Sequence, residues 1–322
     1  MFGPSAKAVG PRRDYTACNG CGLCFLVCPM WRGHRDPRFT PQGLAKALQC
    51  GATASALAAP LDACSLCGAC DPVCPESIDL SQMVMDLRLA LPRGPDIDSR
   101  YEKLAQLAGC AAPPPAGALL LPGPDLRAEP ALLARVQALL GHPGAEDDGA
   151  DIALALEAGI EIPRARRRRF LDRLDGRALV VADGLLLRQL RRWLPAARLR
   201  SLGEALGSLV PLRRRLTSAD FYVIEARAYH ADHERLVGHY DRLRTETGCG
   251  INLDLQRMAI PVVAHGRSHP PGLAPGDDTT QARWLLQGRK PARIVVESLA
   301  DRAAIARICD VPVLHLAELA EA

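Results

Sequence analysis

The chain has 322 residues, a 48% apolar fraction and a formal charge of only +4, so two or three domains with real cores are expected and a disordered polyanion binder is not. Arg far outnumbers Lys, and the densest basic run, Arg164 with Arg166 to Arg169, stands beside Phe170, Leu171 and Leu174. That pattern reads as the solvated face of an amphipathic helix and not as a nucleic-acid patch, and no stretch has the uninterrupted apolar length of a membrane span.

Near the start, one cysteine spacing occurs twice: Cys18, Cys21, Cys24 and Cys28 before Pro29, then Cys64, Cys67, Cys70 and Cys74 before Pro75. This C-x-x-C-x-x-C-x-x-x-C-P run holds cubane iron–sulfur clusters. Three thiolates converge on three irons of one cube, and in paired runs the fourth ligates the other cluster. The assignment is one [4Fe–4S] cluster on Cys18, Cys21, Cys24 and Cys74, and a second on Cys64, Cys67, Cys70 and Cys28. The proline is expected to end the local helical turn and free the last sulfur to reach across. Structural zinc would ask for two pairs of ligands, and a disulfide framework for a secreted chain. With no signal peptide expected, the expected compartment is the cytoplasm.

Between the runs, Thr40-Pro41 starts a helix that carries Leu44, Ala45, Ala47 and Leu48 and stops at Gly51. After the second run, Ser81 is the expected cap of a helix through Met83, Val84, Leu87 and Leu91, closed by Pro92. The clusters should therefore lie between helices and not beside the strands of a small bacterial ferredoxin. On Cys18-Asn19-Gly20-Cys21-Gly22-Leu23-Cys24 and Cys64-Ser65-Leu66-Cys67-Gly68-Ala69-Cys70, this region resembles the HdrC-type α-helical ferredoxin domain of heterodisulfide reductase. It is similar also to the iron–sulfur subunits of anaerobic glycerol-3-phosphate dehydrogenase and of glycolate oxidase. Gly22 and Gly68 are expected to let backbone N–H groups approach the cluster sulfides. Cys50 is expected to be a small buried residue on the intervening helix.

A stiff Pro113-Pro114-Pro115 spacer comes next, and beyond it strand-like runs alternate with helices, as in α/β units with parallel strands. The units occur twice. Ala118 to Pro122 opens one and Phe221 to Glu225 the other; Ala178 to Asp183 and Arg293 to Ser298 are the late strands that break into helices; Arg198 to Glu204 and Val311 to Glu318 close each copy. The expected architecture is multi-domain: an α-helical ferredoxin with two [4Fe–4S] clusters at 1–110, a Pro-rich linker at 111–117, and duplicated α/β modules of the cysteine-rich type at 118–216 and 217–322.

That duplicated layout resembles the paired cysteine-rich, CCG-type modules of heterodisulfide reductase, the HdrB type. The resemblance implies a Cys-Cys-Gly element and a later cysteine pair in each active module. Here the later positions read Asp183-Gly184-Leu185-Leu186 and Ser298-Leu299-Ala300-Asp301, and only Gly248-Cys249-Gly250 keeps a trace of the former, opposite Asp147-Asp148-Gly149. Both modules are thus expected to be degenerate, without a cluster. An extra metal site from His230, His233 and Cys249, with His265 or His269, is the sharper reading of the second module; the blander one makes the histidines helix-start residues and Cys249 part of a tight turn. Cys110 and Cys309 are expected to be packing residues.

No Gly-rich phosphate loop comes after a strand, and no nucleophile elbow is present. The expected role is a non-catalytic electron-transfer subunit of a heterodisulfide-reductase-like oxidoreductase complex. Its partners would be a flavin or iron–sulfur donor and a catalytic subunit, with peripheral membrane association only through a partner. The alternatives are a dehydrogenase or reductase subunit with a residual metal or substrate site in the second module, and a redox-sensing scaffold.

Overall fold

The computed structural model describes residues 13–263 and 279–320. Up to Arg88 it is built of short helices, Leu23–Val27, Pro29–His34, Pro41–Gln49, Ala58–Ala63 and Leu80–Arg88, and among the described residues this part has no strand beyond an isolated bridge between Arg13 and Ile78. Thr40 caps Pro41–Gln49 as its sequence predicts, its hydroxyl accepting from the Gly43 amide at 3.1 Å. The next helix is capped by Asp79, not Ser81: the Asp79 carboxylate takes the Gln82 amide at 3.1 Å, and Ser81 is buried inside the first turn with its amide on Asp71. As expected, the helix Leu23–Val27 stops at an extended Cys28 just before Pro29, but the proline has a second role. It opens the helix Pro29–His34, with Cys28 as its N-cap, because a proline nitrogen at the first helical position has no amide to leave unsatisfied.

A sixteen-residue helix, Pro95–Cys110, then packs Ile97, Tyr101 and Leu104 against Leu154, Ala155 and Ala158 of the next region. The Pro-rich stretch at 111–117 has neither helix nor strand. Arg173 and Arg177 hold its carbonyls at Ala111 and Pro115.

The rest of the chain forms a mixed helix and sheet body with two parallel sheets. The first holds β1 (Leu119–Leu121), β2 (Ala178–Val181) and β3 (Arg198–Ser201) in that order, with Gly144 bridging Leu120 on the outer side of β1. The second holds β4 (Asp220–Val223), β5 (Gly250–Ile251), β6 (Arg293–Val296) and β7 (Val313–His315) in the order β5-β4-β6-β7. The near-continuous apolar strands follow from burial on both faces. Alternate residues point to opposite faces, and the cores sort accordingly. Leu120, Val180, Tyr222 and Val295 meet in a central core shared by both sheets, into which Val27, Cys67 and Ala69 of the N-terminal region also pack. Leu119, Leu121, Leu179 and Val181 face outward onto Phe170, Leu186 and Leu190. Phe221, Val223, Ile294 and Val296 do the same onto Ala282, Leu285 and Ile305.

The basic run forms the helix Arg164–Leu174, but not all of it is solvated. Arg166 is buried, its guanidinium bonding Asp147 and Asp151 at 2.6 to 3.0 Å, so Asp147 serves packing. Gly141, a left-handed helix cap at φ +66°, precedes the Gly144 bridge to β1 by three residues, and Gly248, at φ +72°, likewise precedes Ile251 of β5, which pairs with β4. No helix among the described residues is long and apolar enough to cross a membrane.

Candidate functional site

Each cysteine run is bent twice through left-handed backbone, the first before its Cys24 enters the helix Leu23–Val27. In the first run the bends fall at Gly20 (φ +83°) and Gly22 (φ +80°), and in the second at the matching positions, Leu66 (φ +51°) and Gly68 (φ +78°). Glycine takes this conformation freely, whereas Leu66 bears about 1–2 kcal/mol of strain, offset by its burial against Leu44, Leu61 and Val84. The carboxamide of Asn19 accepts from the Cys21 amide at 3.0 Å and donates to Glu76 at 2.9 Å, tying the first run to the end of the second.

The bends gather the sulfurs into two separate cavities. Cys18, Cys21 and Cys24 line one together with Cys74 from the other run. Cys64, Cys67 and Cys70 line the second together with Cys28. Burial pushes the Cys24 thiol up to about 11, with Cys18, Cys21 and Cys74 adding to the shift. Burial also raises Cys28 to about 12 and Cys67 to about 11, and Cys70 well above the ordinary thiol range. Crowded buried thiols do not ionise unaided, so the cradles suit a group that brings positive charge and takes sulfur donors only, as an iron–sulfur cluster does. The Trp31 and Met30 amides at the start of Pro29–His34 lower the cost of a thiolate at Cys28, and the Ala69 amide does so at Cys67.

Among the described residues, no three His, Cys, Asp or Glu side chains stand close enough to share a single ion. A cubane puts each thiolate on a different iron, so its ligands stand farther apart than those of one ion. The same observation bears on the extra site. His230 is buried with both ring nitrogens engaged by backbone: Nδ1–H donates to the Cys67 carbonyl at 2.7 Å and Nε2 accepts from the Ala259 amide at 3.1 Å. Burial drives it down to about 3, leaving a neutral ring with no free lone pair for a metal. His233 lies edge-on to the Tyr229 ring, and Cys249 is buried with its sulfur on the Thr247 hydroxyl at 3.1 Å. His265 and His269 lie outside the described residues. Cys50 and Cys110 are exposed, contrary to the packing role expected of them, and Cys309 is half-buried.

Side chains remote in sequence hold the runs. Lys46 donates to the Cys18 carbonyl at 2.7 Å. Arg88, fully buried, donates to Leu61, Cys64 and Glu157 carbonyls. Arg188 pairs with Asp71 at 2.8 Å and with Asp79. Nothing in the cysteine spacing signals these partners.

The carboxyl ends of both sheets open on one cleft, which Ser65 and Cys67 of the second run also line. In parallel sheets this edge is the usual place for a bound molecule. Asp183 stands here as a helix cap, accepting from the Leu186 amide at 2.7 Å. Glu297 takes the hydroxyls of Tyr222 and Tyr240 at 2.7 Å and the Glu225 amide at 2.9 Å. Burial raises Glu225 and Glu297 to about 7, and Asp301 well above the carboxylate range.

Compared with known families, residues 14–78 match the 4Fe-4S dicluster domain. All eight run cysteines fall inside that span, so the N-terminal part is an iron–sulfur, ferredoxin-like region that supports an electron-transfer role. No curated protein and no solved structure matches the chain.

Proposed function

We propose that the chain is an electron-transfer subunit that relays electrons through two [4Fe–4S] clusters with crossed ligation, within a heterodisulfide-reductase-like oxidoreductase complex. The observation that carries it is the sorting of eight cysteines into two cavities, each with three sulfurs from one run and one from the other. Cys21 is exposed, whereas Cys28 and Cys67 are buried, Cys67 within the core of the α/β body. The first cluster would exchange electrons at the surface and the second would carry them inward. The matching strand orders support a duplicated body, and the acids and serine at 183, 298 and 301 support its reading as a degenerate cysteine-rich pair that docks partner subunits. Anaerobically purified protein should hold about eight irons and eight sulfides per chain, with spectra of two interacting clusters. Stoichiometric zinc, or about four irons, contradicts the proposal.

A second reading is favoured by the cleft at Cys67: a reductase or dehydrogenase subunit whose substrate sits between the sheets, beside the second cluster, and not at His230, His233 and Cys249. Substrate-dependent reoxidation of the reduced chain without any partner would select it.

A further inference from the structure

The two cradles are held differently. The first is held from within its own region, by Lys46 on the Cys18 carbonyl at 2.7 Å and Gln42 on the Gly20 carbonyl at 3.2 Å. The second, besides Arg88 on the Cys64 carbonyl, is gripped from the α/β body by the helix Ala226–Ala231, far along the chain from the run it holds. Arg227 donates to the Ser65 carbonyl through Nε at 3.1 Å and Nη2 at 2.8 Å, and to Glu157 at 2.7 Å. His230, from the same short helix, holds the Cys67 carbonyl two residues further along the run.

We propose that Arg227 is a positioning residue for the second cluster, and that its guanidinium holds that cluster's reduction potential up. This rests on reading the runs as cluster cradles. A guanidinium stays charged at any pH the protein meets. Here it lies within electrostatic reach of Cys67, beside the carboxyl groups of Glu157, Asp183 and Glu225, while Arg32 stands toward Cys28 and Cys67 and Arg188 toward Cys70. Reduction adds one negative charge to the cluster, so a fixed cation nearby favours the reduced form, and removing one of the cations around the cradle makes the electron harder to add. The two bonds to the Ser65 carbonyl also set the loop that presents Cys64 and Cys67.

The test is an EPR-monitored redox titration of the full chain, purified anaerobically, with each signal assigned through Cys70→Ser and Cys21→Ser variants. Arg227→Gln should make the second cluster about tenfold harder to reduce, about 59 mV for one electron, and leave the first unchanged. Glu157→Gln should move the same potential the other way, and Arg227→Lys, which keeps the charge, should restore most of it. If Arg227→Gln does not accumulate, the Glu157→Gln and Arg227→Lys pair carries the test. Equal shifts of both clusters, no shift at full iron content, or a downward shift in Glu157→Gln overturns the inference alone. Absence of iron from the unsubstituted protein overturns the cradle reading with it.

Discussion

Replacing Arg166 with Met tests how the basic run contributes to the body. Its guanidinium makes bonds of 2.6 to 3.0 Å to Asp147 and Asp151, whose side chains are 3% and 1% exposed. Methionine fills a similar volume but leaves two buried carboxylates facing each other. Breaking a buried pair this way costs about 3–5 kcal/mol, and Arg173, 3.3 Å from Asp147, holds the expected loss near the lower figure, about 3 kcal/mol. At roughly 2–4 °C per kcal/mol the melting temperature should fall by about 6–12 °C. The assay is thermal unfolding followed by circular dichroism, with Arg168→Met on the exposed side of the same helix as the control, expected within about 0.5 kcal/mol of the parent. Adding Asp147→Asn to Arg166→Met should recover part of the loss. A loss in Arg166→Met no larger than that in Arg168→Met would refute the reasoning and return the whole run to the solvent.

Gly159, at φ +72°, packs its Cα against the Arg88 backbone, and an added Cβ would stand 2.4 Å from the Arg88 carbonyl carbon and oxygen. Gly159→Ala should therefore cost about 3 kcal/mol, from left-handed strain plus overpacking, and Gly109→Ala, in open space on a helix, should stabilise by about 0.5–1 kcal/mol; equal melting temperatures for the two would contradict this. Burial holds His315 down to about 4 against the ordinary 6.5. Below pH 6.5 the unfolded chain takes up a proton that the folded chain refuses until about pH 4, so stability should fall across that window, by about 3 kcal/mol from this residue when complete. His315→Gln should make melting temperature less steep between pH 7 and 5, and an unchanged slope would show that His315 is not the buried neutral group described.

The cysteine spacing made the cofactor class legible because cluster ligation demands a short, fixed rhythm of thiolates. Strand positions were legible too, since Leu119 to Leu121 and Ile294 to Val296 are apolar runs that only a twice-buried strand explains. Caps were read less well: Asp79 and Ser81 both suit a helix start, and the choice depends on Asp71 occupying the Ser81 amide. The helix Pro95–Cys110 has a weak apolar face that acquires meaning only against Leu154 and Ala158. Arg166 looked like its neighbours because charge periodicity cannot tell a solvated arginine from one folded over two aspartates. His230 invited a metal reading for the same reason, its backbone partners at Cys67 and Ala259 being set by tertiary packing alone.

The crossing of the two runs is tested most directly by Cys28→Ala, followed by EPR after anaerobic purification. Cys28 lies in the first run but lines the cavity of Cys64, Cys67 and Cys70. Crossed ligation predicts loss of the cluster built on those three, with the one on Cys18, Cys21, Cys24 and Cys74 retained, and the reciprocal loss in Cys74→Ala. Loss of the cluster near Cys18 in the Cys28→Ala protein, with the other intact, would contradict it.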